Sequence, residues 1–411
     1  MNFELFIAKQ IIIGKAYKSS ISRPIIKIAS IAISLGIGVM LVAVSIGSGF
    51  QKKIKDKMSG FKGHVQIVNY DNNNSDASVV PISKNQDFYP KFKQVKGIKK
   101  VQVFANKFGL IRTKSAFEGI ILKGISADYD FTFFKEYLVE GRLPNFSLKR
   151  NREILISQSL ASSLRLSLND TIQIVFNTQN RRSPYATRKP IVVGVYNTGF
   201  EQFDKTVLLG DIREVQRLNN WDSTQVGGFE VLIDNFDDLA QKGNQIYNAI
   251  DPALNSETIA ERYPLIFNWL NILDNNVWLI IGIMIFVAGI NMVTALLVLI
   301  LEQVQMVGIL KALGCLNWSI RKIFLYNASY LIVKGLLYGN LIGLAFLGVQ
   351  KYFKFIKLNS ENYYVSTVPI YISPLSILLL NVGTLLLCLL MLVVPSYIIT
   401  KIQPSKAIKF A

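Results

Sequence analysis

The sequence predicts a membrane protein with four transmembrane α-helices and a large mixed α/β periplasmic domain between helices 1 and 2. Three observations predict it. The 411-residue chain is 51% hydrophobic, with a mean hydropathy of +0.33, more apolar than an average soluble protein. Four stretches, 25–47, 277–301, 323–349 and 376–399, each reach the roughly 20 apolar residues that cross a bilayer core as helix. The interval between the first two instead holds short β-branched runs and helical patterns bounded by turn residues.

The elements follow in order. Residues 1–24 place Phe3, Phe6, Ile7 and Ile11 at helical spacing with Lys9, Gln10 and Lys15 elsewhere, which predicts an amphipathic helix at the cytosolic interface; an uncleaved leader is the alternative. Residues 25–49 form the first span. It is expected to be a retained anchor, because the run exceeds a signal-peptide core and "SIGSGFQKKIKDK" after it offers no small-residue cleavage site. Residues 50–274 form the external domain, with strands expected at "HVQIVNY", "EGIILKGI", "TIQIVF", "PIVVGVY" and "GGFEVLI", and helices at "SQSLASSLRLS" and "DIREVQRLN". Residues 69–78 read as a polar loop. A second loop, 177–189, joins two strong strands and is too long and basic for a tight hairpin turn. It reads equally as a functional loop or a solvated hairpin tip. The second span (275–301), a short cytosolic helix (302–320), the third span (321–350), a short periplasmic loop (351–375), the fourth span (376–400) and a cytosolic tail (401–411) complete the chain.

Charge sets the orientation. Lys9, Lys15, Lys18, Arg23 and Lys27 precede the first span, Lys311, Arg321 and Lys322 lie between the second and third, and Lys401, Lys406 and Lys409 follow the fourth. Short loops rich in Lys and Arg stay in the cytosol, so both termini are expected there and the large domain outside, in the periplasm of a Gram-negative cell. The net charge of +18 is spread over every segment and accompanies no nucleic-acid motif. The two cysteines, Cys315 and Cys388, fall beside a cytosolic loop and inside a span, where neither staples the external domain.

Catalytic patterns are missing. The single histidine, His64, allows no His-pair metal site, and there is no GxxxxGK[ST] loop, GxSxG elbow or HExxH helix. The reading is a non-enzyme with no cofactor in this chain. The intramembrane Asn291, Thr294, Asn340, Asn381 and Thr384 fit interhelical hydrogen bonds better than an ion pathway. Lys334 is read first as a lysine that snorkels to the cytosolic surface, although charge in a span is a functional hypothesis by default. Gly335, Gly339 and Gly343 recur every fourth residue and mark a face for close helix approach.

The helix after Leu301 starts on Glu302, carries Val304, Val307, Ile309, Leu310 and Leu313 on a partly apolar surface, has Lys311 near its end, and takes Gly314 as its C-cap. Held between two spans, it is either a docking stub that passes a push from a soluble partner or an interfacial helix.

"INMVTALLVLILEQVQMVGILKALGCLNWSIRKIFLYNASYLI" resembles the signature segment of the permease family that includes the lipoprotein-releasing Lol permeases, the MacB efflux pump and the cell-division protein FtsX. The resemblance runs over nearly the whole chain and is nearest the Lol type. "FIAKQIIIGKA" with "IASIAISLGIGVMLVAVSIGSGFQKKI" is similar to the Lol start and first span, "EILISQSLASSLRLSLNDTIQI" to the periplasmic signature, "NYYVSTVPI" to the segment before the last span, and "PSYIITKIQPSKAIKF" to the closing tail. The family implies mechanotransmission: two permease subunits, identical or paralogous, above a dimer of separate ABC ATPase subunits that carry ATP and Mg. It implies that Met306, Val307, Gly308, Ile309, Leu310, Lys311 and Gly314 seat the coupling helix, with Glu302 and Val304 at its start, on the ATPase. In the lipoprotein branch it implies cargo entering, from the outer leaflet, a lipid-facing cavity between first and second spans, with Met40, Leu41, Val44, Val287 and Asn291 as wall residues, and passing to a periplasmic lipoprotein carrier. A partner loop is expected at Thr178, Gln179, Asn180, Arg181, Arg182, Ser183, Pro184, Tyr185 and Arg188, shorter here than the hook of one Lol permease. The leading expectation is therefore a lipoprotein-release permease in the bacterial inner membrane. A MacB-like efflux permease working with a periplasmic adaptor and an FtsX-like signalling permease controlling a cell-wall hydrolase stay open beside it.

Overall fold

The computed structural model describes residues 3–13, 22–72, 76–113, 116–146, 151–178 and 184–403. The chain divides into two compact units: Met1–Phe50 with Leu270–Ile356 and Val368–Ala411, and Gln51–Trp269 with Lys357–Thr367.

The first unit is helical. Its elements are α1 (Phe3–Ile13), α2 (Ser22–Lys62, which runs on into the second unit), α3 (Pro264–Glu302), α4 (Val304–Ala312), α5 (Asn317–Phe353) and α6 (Pro374–Ser396). Four helices, based on α2, α3, α5 and α6, are long and apolar enough to cross a membrane. Residues at i, i+4 and i+7 line one helix face, and on α2 that face is Ile33, Ile37 and Met40, buried with Met292 and Leu296 of α3, Phe324 and Ile332 of α5 and Leu392 of α6. The opposite faces keep large side chains exposed, among them Ile31, Leu35, Phe286, Leu341 and Leu390. Such an inside-out distribution suits lipid rather than water.

The glycine face on α5 finds its partner in α2. An added Cβ would lie 2.6 Å from the Ile33 side chain at Gly335, 2.6 Å from the Ser34 carbonyl oxygen at Gly339, and 3.3 Å from Gly38 Cα at Gly343. The rising partner numbers show the two helices running in the same direction. Asn340 and Asn381 join α5 to α6, as the sequence reading expects. Thr294 and Thr384 instead return their hydroxyls to the Ile290 and Leu380 carbonyls one turn back on their own helices, because a short hydroxyl side chain reaches its own i−4 acceptor before any neighbour.

α2 continues unbroken past the apolar run because Ile54, Met58 and Phe61 extend one face through the charged stretch, and all three are buried in the second unit. It stops at Gly63, whose φ of +73° suits glycine. The second unit is mixed α/β. Its strands are β1 (Val65–Asn69), β2 (Ile82–Ser83), β3 (Ile98–Arg112), β4 (Phe117–Ile125), β5 (Leu138–Gly141), β6 (Glu153–Ser157), β7 (Ile174–Asn177), β8 (Tyr185–Arg188), β9 (Ile191–Tyr196), β10 (Val207–Asp211), β11 (Gln225–Val226), β12 (Gly228–Ile233) and β13 (Leu254–Thr258). Eleven form one sheet in the order β13-β1-β12-β3-β4-β10-β6-β9-β5, with β7 paired to β3 and β8 to β7, while β2 and β11 pair separately. Pairing is antiparallel except for β4 with β10 and β6 with β9. β3 organises the sheet: its first half pairs with β12, its second half with β4 and with β7. Helices at Gln158–Leu164 and Ile212–Leu218 start on side-chain caps from Ser157 and Asp211.

The core of this unit is aromatic, with Phe61, Phe134, Phe176, Tyr196, Phe200 and Phe229 buried. Phe61 meets Phe134 edge to face, centroids 5.4 Å apart, a geometry worth about 1 kcal/mol beyond area burial. Residues Lys357–Thr367, expected as part of a plain loop, belong to this unit. Leu358 donates to the Ser366 carbonyl, Lys205 pairs with Glu361 at 2.9 Å, and the Tyr364 ring lies 5.1 Å from Phe200. An aromatic side chain in the loop is enough to anchor it to an aromatic core.

Candidate functional site

The short helix α4 is built by its ends and by Lys311. Gly314 N–H donates to the Lys311 carbonyl at 3.0 Å and Cys315 N–H to the Leu310 carbonyl at 2.9 Å. With Gly314 at φ +83°, this is a Schellman stop. Lys311 Nζ donates to the carbonyls of Ile399, Thr400 and Ile402 at 2.8, 3.1 and 2.9 Å. Those carbonyls belong to the turn that follows α6, a helix C-terminus of negative partial charge; the Ile399 carbonyl also accepts the Ile402 N–H, and one ammonium reaches all three. Burial pushes the Lys311 amine below its ordinary value.

The expected coupling residues separate into two faces. Val307 and Gly308 are buried in the helical unit itself, with Met306 and Leu310 half-buried against the same core. Those four face the core of the helical unit. Their seats follow from periodicity, since 307, 308 and 311 fall on the side that α5 and the α6 turn cover. The outward strip is Gln305, Ile309, Ala312, Leu313 and Leu316, with Ile309 46% and Leu313 78% exposed. Glu302 and Gly314 are also exposed, and Val304 is half-buried. Gln305, Ala312 and Leu316 were not singled out from the sequence; 3.6-residue steps from Ile309 reach Gln305 and Ala312, while Leu316 lies beyond the Gly314 stop, at the N-cap of α5.

The five expected cavity-wall residues do not line one cavity. Met40 and Leu41 are buried, Met40 in the core with Met292, while Val44 and Leu41 border a void of only about 10 Å³. Val287 points outward at 44% exposure, and Asn291 is half-buried. The cause is local: Met40 shares the face of Ile33 and Ile37, which the unit uses for its own packing. The large apolar groove of this unit, about 770 Å³, runs instead between α2 and α5 and is bordered by Leu35, Val39, Tyr338 and Ile342.

In the second unit, the loop expected at 177–189 contains a strand. Tyr185–Arg188 is β8, registered against β7 with Asn177 opposite Tyr185 and Ile174 opposite Arg188. Alternating Tyr, Ala, Thr and Arg suits a pleated edge, and Thr178 N–H to the Pro184 carbonyl at 2.8 Å closes the hairpin. Gln179, Asn180, Arg181, Arg182 and Ser183 lie outside the described residues. Arg188 pairs with Glu214 at 3.2 Å on the wall of a charged pocket of about 390 Å³ that also takes Arg152, Lys189 and Arg217 with Glu153 and Asp211. Among the described residues no group of three or more His, Cys, Asp and Glu could hold a metal ion.

A lipid-suited bundle with an exposed apolar strip on a helix set between two spans, joined in one chain to a mixed α/β domain, defines a membrane permease. Residues 28–249 match the family model of the MacB-like periplasmic core domain, and residues 278–404 that of the FtsX-like permease C-terminal region. The chain belongs to this family of permeases. It is 21% identical over 420 residues to the lipoprotein-releasing system transmembrane protein LolE of Haemophilus influenzae, covering 99% of both chains. It is also 21% identical over 401 residues to the LolC protein of that system in Neisseria meningitidis, covering 94% of both. Among solved structures it is similar to the extracellular domain of the noncanonical ABC-type transporter YknZ from Gram-positive bacteria, with 16% identity, a TM-score of 0.33, and coverage of 47% of this chain and 99% of that one.

Proposed function

We propose that this chain is the transmembrane permease subunit of an ATP-driven complex that extracts lipoproteins from the bacterial inner membrane and passes them to a periplasmic carrier. The observation that carries the reading is the end-to-end alignment with lipoprotein-releasing transmembrane proteins, which spans both family regions. In this reading the chain works beside a second permease subunit, identical or paralogous, and ATP and Mg act on a separate ABC ATPase dimer. The ATPase docks on the outward strip of α4, where Ile309 and Leu313 supply apolar contact. Its stroke passes through Lys311 to the end of α6, because the ammonium ties the two elements by three hydrogen bonds.

The test is depletion of the protein followed by fractionation of acylated lipoproteins between inner and outer membranes. Accumulation of several lipoproteins in the inner membrane, with other outer-membrane proteins assembling normally at first, is the expected outcome. Unchanged sorting would overturn the cargo and bring drug efflux or cell-wall signalling forward.

A further inference from the structure

The groove between α2 and α5 has a polar end and an apolar length. Its residues include two cations, Lys27 and Lys334, and no acid. Both lysines are exposed, and among the described residues neither ammonium has an ion pair or a hydrogen bond. Gly335 of α5 meets Ser30 and Ile33 of α2, so Lys334 stands about one turn of helix from Lys27 and the two charges share one end. From there the walls are Ile31, Leu35 and Val39 on one side and Tyr338, Ile342 and Phe346 on the other. Lys334 to Phe346 is twelve residues, or about 18 Å of helix, close to the roughly 15 Å of one leaflet's hydrocarbon. The floor is backbone: Gly38 and Gly343 both border the groove and approach so closely that a Cβ on Gly343 would sit 3.3 Å from Gly38 Cα. A channel with glycine at its floor, lipid-length walls and, at one mouth, two lysines without an ion pair among the described residues suits a lipid with a negative headgroup.

We propose that this groove holds an anionic phospholipid, with its headgroup between Lys27 and Lys334 and an acyl chain laid along Leu35, Val39 and Ile342. The pairing of a negative headgroup with two lysines distinguishes it from a zwitterionic lipid, whose ammonium would meet like charge. The lining of the groove comes from α2 and α5 and includes no residue of the second span. The inference rests on α2 and α5 spanning the membrane and is independent of what the permease releases.

The experiment uses the full chain reconstituted in bilayers of equal phosphatidylglycerol and phosphatidylethanolamine, extracted in mild detergent, with retained lipid identified by native mass spectrometry. Phosphatidylglycerol is expected to be retained at least tenfold over phosphatidylethanolamine. Lys27→Gln and Lys334→Gln should each lower that preference about fivefold, the value of roughly 1 kcal/mol per surface lysine, and Lys334→Arg should keep it. Val39→Trp, which fills the channel without touching the charges, should lower retention of both lipids. Equal retention of the two lipids, an unchanged preference in both glutamine variants, or displacement of phosphatidylglycerol by an equimolar triacylated lipopeptide would each overturn the proposal. None of these readouts depends on lipoprotein sorting, so its failure and that of the release reading are told apart.

Discussion

Asn340 and Asn381 exchange two hydrogen bonds between α5 and α6, Asn340 Nδ2 to Asn381 Oδ1 at 2.6 Å and Asn381 Nδ2 to Asn340 Oδ1 at 3.1 Å. Each amide donates once and accepts once across the gap, and each also donates to a carbonyl four residues back on its own helix. Inside hydrocarbon no water stands in for a lost partner. Asn340→Leu should therefore lower resistance to denaturing detergent by about 0.5–2 kcal/mol, and Asn340→Leu with Asn381→Leu should lose less than the sum of the two single changes. Additive losses in that double-mutant cycle would show that the pair is not coupled.

Lys311 gives a second expectation. Lys311→Met keeps the stem and removes the ammonium that three carbonyls accept from. Membrane levels should stay near normal, while ATP hydrolysis by the assembled complex should lose most of its stimulation by cargo. Ile309→Asp should do the same from the outward face, through lost docking. Co-purification separates the two: the ATPase should stay bound to the Lys311→Met protein and be lost from the Ile309→Asp protein. Retention of the ATPase by Ile309→Asp would place its docking surface elsewhere.

The second unit carries a buried ion pair. Lys123 Nζ lies 2.6 and 2.9 Å from the two carboxylate oxygens of Glu230, the side chains being 3% and 0% exposed. Gln66 and Gln102 each donate to Glu230, and Lys123 also donates to the Phe61 carbonyl. Removing one partner strands the other charge away from water, so Lys123→Met should cost about 3–5 kcal/mol. Lys123→Met with Glu230→Leu should recover much of that loss in thermal denaturation of the full chain. A double variant as unstable as the single one would mean that the glutamines, left without their acceptor, dominate.

His64 supplies a pH dependence. Its Nδ1 accepts the Ile233 N–H at 3.2 Å, and burial, followed by the nearby Lys99 charge, pushes the imidazole down to about 4 from its ordinary 6.5. The unfolded chain takes up the proton first as pH falls. Stability is thus fully present above pH 6.5 and is lost progressively as pH drops from there toward 4, by about 2 kcal/mol at pH 5. His64→Gln, whose amide oxygen can accept the same N–H, should flatten the dependence of the thermal midpoint between about pH 7 and pH 5. An identical slope in the variant would assign the titration to another group.

Much of this molecule could be read from its residues in order, and the exceptions have physical causes. The four spans and the α5 glycine face are local patterns, set by length, apolarity and a four-residue repeat. β3 escaped notice because "IKKVQVFANKFGLIR" mixes Lys, Asn and Gly into its alternation, which only the strands on both of its sides make tolerable. Lys123 and Glu230 are 107 positions apart, and no spacing rule links them. On α4 the residue types pointed to a docking helix, but its two faces depend on which neighbours cover Val307 and Gly308, and that is tertiary information.

The glycine seam between α2 and α5 also fixes what kind of sequence change the third span can absorb. Its outward leucines, such as Leu337 and Leu341, are 67% and 68% exposed, so a change among apolar types there disturbs no packing among the described residues of this chain. Its length is not free. A single residue inserted between Gly335 and Gly339 would turn everything after it by about 100° and carry both remaining glycines off the seam, bringing bulky side chains against the Ser34 carbonyl and Gly38. The span therefore behaves like a toothed rack, indifferent to material along its back and intolerant of a change in pitch.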